Sequence, residues 1–380
     1  MSSPALSGIK PARLEDWFRY RYFDADIDVS SSGVQNYSVA EILRIAGVPA
    51  PDLTTMVMRD SPSVGAHALR AAIADRFAPG HDECVAVTHG SSEAIFLALA
   101  VLVRPGDEII TVRPAYHSLS GIAEALGATV HGWDLDSANG FQPDFDQLAR
   151  LITKRTRVVI VNFPHNPTGT TLDTEAFRRL LDTVDHHGCH LLWDAACGEL
   201  TYDAPPLPDP HHLIGNCVSF GTLSKAYGLP GLRVGWSLAP PELITEMVRL
   251  RDYVTLATSP LNELIATAVL RNADAVVGPR LAQAAHNRQA LRTWLAANPG
   301  LFSCVLPAGG VSAFPRVGHP VDVDSCCTRL ADEHGVLVVP GSCFGHPDRF
   351  RLGFGGDTGE FEKGLAELAR FFRAEADRQR

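Results

Sequence analysis

The sequence has no apolar run approaching the roughly 20 residues that a membrane-spanning helix requires. It has no excess of basic side chains either: 33 Lys and Arg stand against 43 Asp and Glu, a net charge of −10. That balance removes the electrostatic case for nucleic acid or an anionic membrane as a partner. The opening residues M-S-S-P-A-L-S-G-I-K lack the charged-then-apolar order of a secretion signal, so a cytoplasmic location is expected. The 8 cysteines include no C-x-x-C pair, and Cys326 and Cys327 are adjacent, which suits an ordinary disulfide poorly. Reduced thiols are the expectation. Histidines cluster at His186, His187 and His190 and at His211 and His212 without the matching second pair of a metal centre, so no metal is expected. Lysine is scarce: Lys225 is the only one between Lys154 and Lys363.

What is present is a chain of 380 residues, long enough for a large core and a second lobe. From residue 84 onward, strand-like runs recur at Cys84–Thr88, Glu108–Val112, Ala128–Trp133, Arg157–Asn162, His190–Trp193, Cys217–Phe220 and Arg233–Ser237. Helix-like stretches lie between several of them, including Ser92–Val103, Leu119–Leu126 and Thr174–His186. Strands alternating with helices predict an α/β protein built on a doubly wound, mostly parallel sheet. Ligands of such sheets bind at the carboxyl ends of the strands. After Lys225, helices are expected over Pro241–Arg251, Leu261–Leu270 and Pro279–Ala297, then a smaller lobe with strands Gly310–Pro315, Val336–Val339 and Arg349–Gly355 and a terminal helix Gly359–Ala376.

The stretch Ser219–Trp236, S-F-G-T-L-S-K-A-Y-G-L-P-G-L-R-V-G-W, organises the rest. A lone lysine among apolar and hydroxyl neighbours is a candidate for a depressed pKa and for bonding a carbonyl. Thr222, Ser224 and Arg233 could hold a phosphate dianion beside it. An amine next to a phosphate anchor is what pyridoxal phosphate needs. Four further motifs sit where strands end. In T-H-G-S-S-E-A, Gly90 turns and Ser91 and Ser92 open a helix whose N–H groups suit phosphate. In R-P-A-Y-H-S, Tyr116 could lie flat on a pyridine ring. V-N-F-P-H-N-P-T-G carries Asn166 in a turn. In L-L-W-D-A-A-C-G-E-L, Asp194 ends an apolar strand, where a carboxylate is costly unless paired; a protonated pyridine nitrogen would be its partner.

Upstream, residues 14–23, L-E-D-W-F-R-Y-R-Y-F, read as an amphipathic helix with an aromatic face suited to core or interface packing. Asp24, Asp26 and Asp28 alternate, so in an extended chain they share one face and could receive a cationic substrate. Gly33 then allows close backbone approach to a ligand.

The string T-x-S-K-x-Y-G-x-x-G-x-R-x-G, with the four strand-end motifs, resembles the fold-type I pyridoxal-phosphate enzymes of the aspartate aminotransferase superfamily, over nearly the whole chain. The resemblance implies a large domain with a seven-stranded, mostly parallel sheet over residues 51–285, a small α/β domain over 286–380, and an N-terminal segment, 1–50, that joins the small domain. It implies that Lys225 bonds the cofactor, Asp194 pairs with its ring nitrogen, Asn166 donates to its phenolic oxygen and Tyr116 stacks on its ring. Gly90, Ser91, Ser92, Thr222, Ser224 and Arg233 would surround its phosphate. Arg351, preferred to Arg349 in the F-R-L-G-F strand, would bind the substrate α-carboxylate, with Gly33 over the substrate and a homodimer as the assembly. Two positions depart from the family: Asp60 and Cys197 stand where tyrosines are expected. Several phrases, L-E-D-W-F-R, D-V-S-S-S-G-V-Q-N-Y and R-P-A-Y-H-S-L-S-G among them, resemble a ring-closing branch of the family. That implies a hydroxylated arginine as substrate, loss of its β-hydroxyl as water and attack by a guanidine nitrogen; amino-group transfer is the alternative. The guanidinium needs a base or carboxylate, for which Asp24, Asp26, Asp28 and His117 are unranked candidates.

Overall fold

All seven apolar runs from residue 84 to 238 become strands of one sheet in the computed structural model, which describes residues 9–378. Residues 1–8 and 379–380, the outer ends of the expected N-terminal segment and small domain, lie outside the described residues. The strands are β1 Val85–Thr88, β2 Glu108–Arg113, β3 Thr129–Asp134, β4 Thr156–Asn162, β5 His190–Asp194, β6 Cys217–Thr222 and β7 Gly235–Leu238. Their order across the sheet is β1-β7-β6-β5-β4-β2-β3, and only β7 runs antiparallel to its neighbours. Central strands buried on both faces read as unbroken apolar runs, as Val158–Val161 and Leu191–Trp193 do.

Helices cover both faces. α1, Ser91–Leu102, crosses β6 and β7 and buries Ala94, Ile95, Leu97, Ala98, Leu99 and Leu102. α2, Thr174–His186, is capped by Asp173, whose carboxylate accepts from Ala176 N, and buries Phe177, Leu180, Leu181 and Val184 at helical spacing. α3, Ala273–Ala297, begins six residues before the Pro279 expected to open it, and Pro279 sits inside the helix. Proline there costs up to about 3 kcal/mol. Ala273, Val276 and Val277 bury their side chains on that first turn and a half, which offsets the cost. The expected boundary between residues 285 and 286 falls within this continuous helix.

Two strand ends differ from expectation for local reasons. Arg233 takes a left-handed conformation (φ 52°) after the 3-10 turn Pro230–Leu232, so β7 starts at Gly235 rather than Arg233. The run 336–339 divides into Val336–Leu337 and Val339–Pro340, because the two halves pair with different partners. Val336–Leu337 pairs in parallel with Ile27–Asp28 near the N-terminus. Val339–Pro340 pairs with Phe350–Gly353, which also pairs with Ser312–Ala313. The N-terminal segment is thus stitched to the C-terminal part of the chain, and it also touches the lysine turn, where Val34 N donates to Lys225 O. Among the described residues no helix is long and apolar enough to cross a membrane.

Candidate functional site

The carboxyl ends of β4, β5 and β6, the N-terminus of α1 and the N-terminal segment enclose a cavity of about 730 Å³. That size suits a cofactor with a small substrate. Its walls bring together Gly33, Ser91, Ser92, Tyr116, Asn166, Asp194, Thr222, Ser224, Lys225, Arg233 and Arg351, all predicted from the sequence.

One end is built to receive an anion. Gly90 (φ 77°) is the N-cap of α1 and provides no capping side chain, so the first N–H groups of the helix are left for a ligand. β6 delivers Thr222, whose Oγ1 lies 3.0 Å from Ser224 Oγ and 3.2 Å from the Val234 carbonyl. Arg233 reaches back across this turn, donating from Nη1 to Pro230 O (3.0 Å) and from Nη2 to His89 O (3.4 Å). It forms no ion pair with a carboxylate among the described residues, so its charge is uncompensated. The cradle is close-packed. A Cβ on Gly235 would lie 2.5 Å from Gly90 C and 2.7 Å from Ser91 N, and one on Gly90 would lie 2.7 Å from Arg233 Nη2.

At the centre Asp194 ends β5, buried, its Oδ1 accepting from Ala196 N at 3.0 Å. Burial pushes its carboxyl up to about 6, against the pull of that N–H and of Lys225. Asn162, one strand over, ties two loops: its Nδ2 donates to Asp194 O (3.0 Å) and its Oδ1 accepts from Asn166 N (2.8 Å). Lys225 is half-buried and donates from Nζ to Ser32 Oγ at 3.0 Å. Burial lowers its pKa, which favours the free amine a nucleophile or base needs. Gly33 packs on this lysine: a Cβ there would sit 3.2 Å from Ser224 O.

Arg351 closes the far side, 1% exposed, with Nη1 donating to Asn166 Oδ1 (3.1 Å) and Nη2 to Ser30 O (2.9 Å). Its Nε has no partner, and burial lowers it to about 10. A buried guanidinium with no carboxylate is a site for one. Arg349 instead donates to Phe314 O and does not line the cavity.

The expectation for the three aspartates is not met by the geometry. The strand is only Ile27–Asp28, preceded by a turn, so Asp24, Asp26 and Asp28 do not share an extended face. Asp28 lies outside the cavity wall; its Oδ1 accepts from Ser30 N (2.9 Å) and Ser30 Oγ (2.5 Å). Asp24 is exposed, and Asp26 abuts Gly335. Conversely, Ser32, Asn162 and Glu15 line the cavity without having been singled out. The serine triplet before Gly33 is the one local signal for Ser32; the position of Glu15 depends on how the aromatic helix Arg13–Arg19 docks, which no local pattern reveals.

The eight cysteines, all among the described residues, are unpaired thiols, and Cys197 lines the cavity with burial raising it to about 11. The histidine clusters assemble no ligand set; among the described residues one group, His81, Glu83 and Cys84, has ligand atoms close enough for an ion.

The residues fit pyridoxal phosphate: an anion cradle, an amine, a buried carboxylate for a ring nitrogen and a spare guanidinium surround one cavity. Residues 53–368 match the model of the family described as aminotransferase class I and II. Over 374 residues the chain is 49% identical to capreomycidine synthase of Streptomyces vinaceus, covering 97% of this chain and 96% of that one. It is 30% identical to arginine–pyruvate transaminase AruH of Pseudomonas aeruginosa, over 74% and 73% of the two chains. Among solved structures, the PLP-dependent cyclase OrfR superposes with a TM-score of 0.91 at 44% identity, covering 96% of this chain and 98% of that one.

Proposed function

The chain belongs to the aminotransferase class I and II family, and from that premise we propose that it closes a ring on a β-hydroxylated arginine by replacing the hydroxyl with a guanidine nitrogen. It is a pyridoxal-phosphate-dependent enzyme. When bound, the cofactor supplies an electron sink for the pair left at the substrate α-carbon. The substrate in this reading is 3-hydroxy-L-arginine or a further hydroxylated form, and the product is capreomycidine or its hydroxylated counterpart, of the viomycin and streptothricin type. The observation that carries it is the 49% identity to capreomycidine synthase over almost the full length of both chains.

The residues divide the work. Ser91, Ser92, Thr222, Ser224 and Arg233, packed around Gly90, would hold the phosphate, and Tyr116 and Asn166 would orient the ring. Asp194 would pair with the protonated ring nitrogen, and that charge would compensate the burial that otherwise raises its carboxyl. Arg351 takes the substrate carboxylate, which fixes the α-carbon next to Lys225. Lys225 Nζ, whose pKa burial lowers, accepts the α-proton and later returns it to that carbon. The β-hydroxyl leaves as water, the guanidine nitrogen bonds the β-carbon, and a six-membered ring results. Gly33 and the helix Arg13–Arg19 cover the site and limit entry of solvent. A homodimer is part of the same reading, supported by the exposed apolar turn bearing Tyr253, Val254 and Leu256.

The second reading is amino-group transfer, favoured by the likeness to the arginine–pyruvate transaminase. Product mass separates them. Purified holoenzyme with 3-hydroxyarginine is expected to give a cyclic product lighter by one water with its α-amine retained. A 2-oxo acid formed only when an amino acceptor is present would replace the proposal with the second reading.

A further inference from the structure

Two carboxylates line the cavity, Asp194 and Glu15. In the reading above Asp194 would pair with the ring nitrogen, which leaves Glu15 without a role. Its helix is anchored from both sides: Leu14 is buried, and Trp17 Nε1 donates to Val338 O at 2.9 Å. Glu15 forms no ion pair among the described residues; the nearby Arg19 is held by Asp16. Its one polar contact is with Tyr116, whose hydroxyl donates to Glu15 Oε1 at 3.1 Å.

Next to Tyr116 on the same wall is His117, the two ring centroids 4.2 Å apart. His117 Nδ1 is buried with no hydrogen-bond partner. Burial lowers its pKa and the charge of Glu15 opposes this, so the imidazole is neutral at physiological pH and able to accept a proton. Glu15, a carboxylate with no ion pair among the described residues, and His117, an imidazole with one ring nitrogen unpartnered, therefore line one space. Of the cations lining the cavity, Arg19 is paired with Asp16, and Arg351, Arg233 and Lys225 are assigned other work in the reading above; none lies within ion-pair distance of Glu15.

We propose that Glu15 and His117 form the subsite for the substrate guanidinium, Glu15 holding it and His117 taking the proton it must lose before its nitrogen can bond carbon. This rests on the ring-closing reading for the proton transfer, whereas the holding role needs only an arginine-like ligand. A guanidinium presents several N–H donors in one plane, which matches a carboxylate flanked by a ring-nitrogen acceptor. The step balances. One N–H bond breaks and its proton goes to His117, the freed nitrogen pair forms the bond to the β-carbon, and one proton departs with the hydroxide as water. The site ends in its starting protonation state.

The test uses holoenzyme and three amino acids that lack the leaving hydroxyl. The change in cofactor absorbance gives Kd for L-arginine, for L-citrulline of the same length but uncharged, and for L-alanine, which has no side-chain end to place. Wild type is expected to prefer arginine to citrulline, and Glu15→Gln to lose about 10- to 100-fold of that preference, the range of a charge-assisted hydrogen bond. Alanine affinity should stay unchanged, which reports an intact site. An unchanged arginine-to-citrulline ratio in Glu15→Gln overturns the holding role. His117→Gln should keep arginine binding while ring closure on 3-hydroxyarginine slows by roughly 10²- to 10⁴-fold, the product shifting to 2-oxo acid and free ammonia. A closure rate equal to wild type overturns the role of His117. If wild type does not close the ring yet Glu15→Gln loses the arginine preference, the ring-closing reading fails and the holding subsite stands.

Discussion

The cavity has two walls of different construction. The wall proposed to hold the cofactor is made of short contiguous motifs, each at the end of a strand of one sheet: Gly90 to Ser92 after β1, Asn166 after β4, Asp194 on β5, and Thr222, the last residue of β6, to Arg233. The substrate wall is made of pieces brought from opposite ends of the chain: Glu15, Ser32 and Gly33 from the N-terminal segment and Arg351 from a strand near the C-terminus. The first wall is fixed by the sheet register and by glycine contacts too close for any side chain. The second is held by hydrogen bonds such as Arg351 to Asn166 and to Ser30 O. A fold of this type can therefore keep its cofactor chemistry while the other wall sets the substrate.

The difference can be tested by breaking each wall in turn. Lys225→Ala should have the largest effect, a fall in turnover of roughly 10³- to 10⁴-fold, read by steady-state rate and by loss of the lysine-linked cofactor absorbance. Asp194→Asn should cost about 10²- to 10³-fold in kcat, with overall folding by circular dichroism unchanged. Both are failures of the cofactor wall, so both should fall on every amino acid offered. Arg351→Met acts on the substrate wall: KM should rise about 10- to 100-fold, with the absorbance of the resting holoenzyme unaltered. If that absorbance changed as much as in Lys225→Ala, the two walls would not be separable.

The smallest effect at neutral pH concerns His165, buried in the loop between β4 and α2, its ring contacting Thr168 Oγ1 and Pro114 O, each at 2.8 Å. Burial lowers it from 6.5 to about 4. The unfolded chain therefore binds a proton that the folded chain refuses between those values, so stability is lost as pH falls from 6.5 to 4. The loss amounts to about 3 kcal/mol. Asp209, raised by burial to about 6, contributes the opposite slope in part of this window. The measurement is accordingly the difference in unfolding free energy between wild type and His165→Gln, which should shrink by about that amount over the acid window. A difference independent of pH would mean that His165 takes up its proton in the fold as readily as in the unfolded chain.

How much of this is legible in the sequence follows from the same division. The seven sheet strands and the residues of the cofactor wall can be read because each lies within one motif whose spacing reflects a strand, a turn and a helix start. Arg351 is preferred to Arg349 through the resemblance of the F-R-L-G-F strand, which alternation alone cannot supply because both arginines alternate with other residues. Asp28 is misplaced by alternation, which puts residues on one face only where the chain stays extended, and here it is extended for two residues. Glu15 is not legible, since an acidic residue in an aromatic helix is ordinary until the helix is docked by Trp17 on Val338. The helix beginning at Ala273 is missed because proline is a strong local signal that tertiary burial overrides.

The pairing of Ile27–Asp28 with Val336–Leu337 sets an order of events during synthesis. Trp17 must wait for a partner 321 positions downstream. At 5–20 residues per second that is roughly 15 to 60 s on the ribosome. The aromatic helix that carries Glu15 is made early but gains its Trp17 anchor only after Val338, while the whole central sheet is translated in between. A chain stopped short of residue 336 has the strands that form the cofactor wall but no roof over it, so the enzyme becomes selective only when it is nearly finished.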